Sequence, residues 1–179
     1  MSLSTATLIP GLILLLAGLP LLLGSASAIA AYRAFPRSRG ASFLLFGAGA
    51  VWFLYQIWNL SPADFGDYHV ALTVGFGAVA ILAFKCVPDF LAVRGLAVLI
   101  LLGCWPLLMA GYLRFDHPQI YFQKVLLYVA LSLAIWVGAQ PWRLRDFLEW
   151  LFARRERTRA IAGVVVGYGA LLAVLAFTY

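Results

Sequence analysis

The stretch GLAVLILLGCWPLLMAGYL, residues 95–113, contains no charged side chain. A helix crossing ~30 Å of hydrocarbon needs ~20 mostly apolar residues, and this run supplies them. Its flanks fit the same reading. Lys85, Asp89 and Arg94 stand before it, and Arg114, Asp116 and His117 stand after it. Outward in both directions the pattern recurs, with comparable runs at 8–32, 41–60, 69–86, 121–140 and 161–179. The expected fold class is therefore an all-α integral membrane protein. It is a bundle of about six transmembrane helices forming one domain over 1–179. Only short connections remain between spans, so no extramembrane domain is expected.

Composition leads to the same class. Of 179 residues, 64% are apolar and 11% charged, against roughly 45–50% and ~25% in an ordinary globular chain. This excludes a cytoplasmic enzyme, a secreted disulfide scaffold, a disordered tail and a DNA-binding module. Cys86 and Cys104 form no CxxC pair, so a thioredoxin-like centre or zinc knuckle is absent. Both read as small hydrophobes. The net charge of +6 is carried by residues flanking apolar runs. Membrane lipids with anionic headgroups are thus the expected partners, and nucleic acid is not.

The first run contains Ala26-Ser27-Ala28, the spacing of a signal-peptide cleavage site. Residues 1–5 carry no Lys or Arg, whereas a signal peptide has a basic leader, so a retained first helix is expected. Pro10 is tolerable near its start, while Pro20 should kink it.

Orientation follows from the loops. Arg33, Arg37 and Arg39 lie in the first, Lys85 and Arg94 in the third. Arg143, Arg145, Arg154, Arg155, Arg157 and Arg159 lie in the fifth. Even loops hold only Arg114 and Lys124. The positive-inside rule places the odd loops in the cytoplasm and both termini outside. The lack of a transit peptide favours a bacterial-type inner membrane.

Residues 141–159 form a distinct segment. Leu144, Phe147, Leu148, Leu151 and Phe152 recur at helical spacing, with Arg145, Asp146, Glu149 and Glu156 largely opposite. An amphipathic interfacial helix starting at Pro141 is predicted. The arginines at 143, 145, 154, 155, 157 and 159 would contact anionic lipid, at ~1 kcal/mol per residue near the surface. A shorter interfacial relative is read at 88–94. A shift of 53 residues pairs Trp52 with Trp105, Tyr68 with Tyr121 and Pro88 with Pro141. This hints at a duplicated hairpin ending in an interfacial helix.

Lipid tails are as apolar as Leu, so helix association relies on close packing and hydrogen bonds. Gly163 and Gly167 make a small-residue face on the last span, for packing within the chain or against another subunit. Gly47, Gly49, Gly75 and Gly77 thin the second and third spans. The six tryptophans, with Tyr112, Tyr121 and Tyr179, fall mostly near span ends, as in an aromatic belt.

Ionisable residues within the spans are nearly absent, which weakens a proton-coupled transporter. Gln56, Asn59 and Gln123 mark a possible polar cavity. One constellation with catalytic or metal-binding potential lies on the predicted outer face. His69 and Asp67 are in the second loop and Asp116 and His117 in the fourth. Two imidazoles with carboxylates suit a divalent metal or acid–base work, and two facing imidazoles suit one haem. Turn chemistry is the favoured account of Asp64 and Asp116, and Asp67 or Tyr68 would cap the third span. No nucleophile elbow, HExxH or phosphate loop occurs, and no cofactor beyond that metal is expected.

The leading expectation is a non-enzymatic accessory, anchoring or assembly subunit of a membrane complex, with a membrane-protein partner or a homo-oligomer. The alternatives are a small oligomeric transporter or channel, and a membrane enzyme with an outer-face metal site.

Overall fold

The computed structural model describes residues 1–114 and 116–179. It is built from helices, with no strand among the described residues. They are α1 (Leu3–Leu22), α2 (Ala26–Ala34), α3 (Arg39–Trp58), α4 (His69–Cys86), α5 (Leu91–Ala110), α6 (Ile120–Ala139), α7 (Trp142–Phe152) and α8 (Arg155–Leu175). Six helices are long and apolar enough to cross a membrane. Short 3₁₀ turns over Phe35–Arg37, Pro62–Asp64 and Gly66–Tyr68 join some of them.

Three of the expected boundaries are corrected. The run 8–32 is two helices. Gly24 adopts φ 73°, with its N–H bonded to the Leu21 carbonyl at 3.1 Å and that of Ser25 to the Pro20 carbonyl at 3.0 Å. This is a Schellman stop, which a left-handed glycine allows. The Ser25 hydroxyl then accepts from Ala28 N–H at 3.3 Å and starts α2.

The second correction concerns 88–94, which forms no interfacial helix of its own. Phe90 turns the chain at φ 59°, and α5 starts at Leu91, earlier than the expected 95. Leu91, Ala92 and Val93 are almost wholly buried. One of the two interfacial helices that the 53-residue repeat required is therefore missing. Thirdly, 141–159 is divided. Arg154 is extended at φ −135°, ψ 128°, so α7 ends at Phe152 and the basic run from Arg155 to Arg159 opens α8.

In the packing, α1 and α8 lie against each other over much of their length. Glycine permits it. A Cβ on Gly169 would sit 2.9 Å from the Gly11 carbonyl oxygen, and one on Gly11 would sit 3.0 Å from that of Gly169. At the centre is α5, which touches α6, α3 and α1. Its Gly95 meets the backbone of α3 where residues Ser42–Phe46 wind as a π-turn. A Cβ there would fall 2.6 Å from Phe46 Cα. Helix α4 is peripheral. It packs chiefly on α3, through Phe76 against Phe53 and Phe84 against Phe43 and Phe46. None of its residues is buried. A cavity of about 320 Å³ lies among α3, α4 and α5, lined by apolar side chains such as Phe53, Phe76 and Leu101.

Candidate functional site

The odd connections converge at one end of the bundle. There α7 packs on α2 and its C-terminus is closed by three side chains. Arg157 Nη1 donates to Trp150 O at 2.7 Å, Thr158 Oγ1 to Leu151 O at 2.8 Å, and Arg33 Nη2 to Phe152 O at 3.1 Å. The last carbonyls of a helix lack intrahelical donors, and cations favour the negative end of the helix dipole. This arrangement supplies both needs and fixes α7 across the end of the bundle. Leu148, Leu151 and Phe152 are buried beneath it, against Leu21, Ile29, Tyr32 and Ile161. The Tyr32 hydroxyl donates to Ala17 O at 3.0 Å, and burial pushes its pKa up. Arg37 stacks over Phe90 at 5.8 Å, which joins the first and third connections at the same end.

The six arginines expected to contact lipid therefore differ in role. Arg157 is committed to the α7 carboxyl terminus and to the Trp150 ring, 4.1 Å away. Arg145 is paired with Asp146 at 2.7 Å and lies 3.8 Å from Glu149. Its hydrogen bond to Asp146, then the charge of that carboxylate, hold its pKa above the ordinary arginine range. Arg143, Arg154, Arg155 and Arg159 form no ion pair among the described residues.

At the opposite end, each imidazole is engaged within its own surroundings. His69 Nδ1 donates to the Gly66 carbonyl at 2.6 Å. Its ring meets the Trp58 ring edge-on at 4.9 Å. His117 lies 3.5 Å from Asp116 and packs on Tyr179 at 5.5 Å. The Asp64 carboxylate accepts from the Ser61 hydroxyl at 2.8 Å, closing its turn. No group of three or more His, Cys, Asp or Glu side chains with metal-holding geometry occurs among the described residues.

The three residues read as a polar cavity lie in different environments. Gln56 on α3 and Asn59 just past its end are exposed, and the Asn59 amide donates to Tyr55 O at 2.7 Å. Gln123 is 1% exposed. Its amide nitrogen donates to Ala6 O at 3.2 Å and Leu107 O at 3.1 Å, and its oxygen accepts from Thr7 Oγ1 at 3.1 Å. Gln123 thus ties α1, α5 and α6 together.

Of the two uses expected for the Gly163 and Gly167 face, close packing within the chain is not the one it serves. A Cβ on Gly167 would meet nothing within 4 Å, and one on Gly163 only the end of Leu22 at 4.0 Å. The close approach uses Gly169 and the buried Ala162 instead.

Sequence reasoning gave Arg33 only a share in the orientation, and Tyr32 and Thr158 no role. Their signal was weak, because the carbonyls that they reach are far off in sequence or belong to another helix. No protein-family model, curated protein or solved structure matches the chain.

Proposed function

We propose that this protein is a non-enzymatic accessory subunit of a membrane complex, with α4 as the helix that meets the partner. One observation carries this reading. A helix of membrane length buries no residue and is held chiefly by α3, with a cavity on its inner side. Within lipid, helices associate by close packing, and α4 has most of its surface to offer. Gly75 and Ala78 on it are small, and nothing would touch a Cβ on Gly75.

The test is a photo-crosslinking residue at Val74 or Ile81, which are 67% and 74% exposed, compared with one at Leu16 of α1, also 74% exposed. A discrete heterologous adduct is expected from the α4 positions and not from Leu16. An adduct of twice the chain mass would replace the partner by a second copy. A chain that yields no α4 adduct and leaves gently extracted membranes alone would end the accessory reading.

The basic end, where Arg33, Arg37 and the α7 arginines gather, belongs in the cytoplasm on this reading. With Cys86 replaced by Ser, a cysteine at Asp64 is expected to react with an impermeant thiol reagent in intact cells. One at Arg155 is expected to stay protected until the cells are opened. The reverse pattern would invert the topology.

A further inference from the structure

A second groove lies away from α4. It has a volume of about 370 Å³, between α5, α6 and α7, within the ~300–1,000 Å³ typical of ligand pockets. Val93, Ile100 and Leu133 form apolar walls, and Leu144 and Phe147 of α7 close its basic end. Arg143 lines it there. This guanidinium is held in place without being neutralised. Its Nε donates to Gln140 Oε1 at 3.1 Å, and its carbon stands 5.8 Å from the Trp136 ring centre. It forms no ion pair among the described residues, whereas Arg145, two positions on, has two carboxylates near it.

An apolar slot that ends at a positioned, uncompensated cation is complementary to one class of molecule. We infer that the groove binds a single anionic phospholipid, with one acyl chain between α5 and α6 and its phosphate on Arg143. The remaining donors of the guanidinium suit phosphate oxygens, to which arginine binds in a fork. A zwitterionic lipid has the same chains and lacks the net charge, so the prediction is a preference and not merely an affinity. The site also gives α7 a use: it forms the wall that holds the headgroup end.

Purified, delipidated protein titrated with dioleoylphosphatidylglycerol or dioleoylphosphatidylcholine, and read by native mass spectrometry, tests this. One phosphatidylglycerol should be retained in preference to phosphatidylcholine. R143Q should reduce that preference roughly fivefold, the value of one cation near an anionic headgroup. R143K keeps the charge and loses the fork, so its preference should fall between those of the wild type and R143Q, and K85Q, which removes an equal charge elsewhere on the exposed basic end, should leave it intact. Leu133→Trp, at a position 50% exposed, should obstruct the slot and lower retention of both lipids. Equal retention of the two lipids by the wild type overturns the inference. An undiminished preference in R143Q does so too, since Arg143 is exposed and its replacement leaves the packed core untouched.

Discussion

Gly95→Ala should destabilise the bundle by about 3 kcal/mol, the upper end of the overpacking range. The added methyl carbon would lie 2.6 Å from Phe46 Cα and 2.8 Å from the Leu45 carbonyl carbon. Both are backbone atoms, so no side chain can rotate away. The π-turn of α3 must retreat as a unit, and the van der Waals contacts that hold helices together in lipid go with it. Intrinsic propensity works the other way, because Ala in a helix interior is worth ~1 kcal/mol over Gly. Contact wins here since the clash involves two main chains. Gly167→Ala is the control. Its Cβ would meet nothing within 4 Å, so the propensity gain should leave it neutral or slightly stabilised. Unfolding in mixed detergent micelles measures both, and equal midpoints would refute the close approach. A second effect should follow. Phe46 and Phe43 hold Phe84 of α4, at 5.2 and 4.8 Å. Displacing the π-turn should therefore also weaken crosslinking from Val74 and Ile81.

The six membrane-length helices were legible because length and hydropathy dominate at that scale. A run of ~20 apolar residues has few alternatives to a helix, and the charged clusters between runs mark where each one ends. The break at Gly24-Ser25 was also written in the chain, as a helix-stopping glycine followed by a capping serine. A count of apolar residues averages such a local signal away. The amphipathic period of 141–159 located α7 but not its end. That end depends on Arg33, in another helix, and on Thr158, which reaches back across the extended Arg154 to Leu151. No periodicity encodes either contact.

The glycines show a related limit. Gly163 and Gly167 have the spacing of a packing motif, and the helix that carries them does pack tightly. Which face packs is settled by the small residues of the partner. Gly11 and Gly18 of α1 lie against Gly169, Ala162 and the valines at 165 and 166, so the contact face is turned from Gly167. Spacing within one helix identifies a smooth surface and leaves its neighbour unspecified. The same holds for the two imidazoles. Sequence places both near one end of the chain's topology, yet their ring contacts are with different aromatic partners, His69 with Trp58 and His117 with Tyr179.

Gln123→Leu should cost about 2–3 kcal/mol, and the reason starts at Pro10. Proline has no N–H, so the Ala6 carbonyl, four residues earlier, loses its helical donor. On α5, the Gly111 N–H turns to Leu108 O at 3.1 Å, which leaves Leu107 O without its usual partner. Two carbonyls thus face the interior unpaired, and Gln123 supplies one N–H to each. Its own oxygen is satisfied by Thr7, whose hydroxyl also lies 3.1 Å from Leu3 O. A single interhelical hydrogen bond in a membrane protein averages only ~0.6 kcal/mol. Orphaning a buried polar group costs ~1–3 kcal/mol, and Leu orphans two. Thr7→Val should cost less, about 1 kcal/mol, because Thr7 makes only the third bond. The two losses should be less than additive in the double variant, since they share that bond. Unfolding midpoints of the four proteins of the cycle give the coupling directly. Strict additivity, or a Gln123→Leu protein as stable as the wild type, would refute the tie among α1, α5 and α6. A polar solute pathway through Gln123 makes the opposite forecast: solute flux would change while stability stayed put. A side chain whose donors and acceptor are all occupied by the protein has little left to offer a solute.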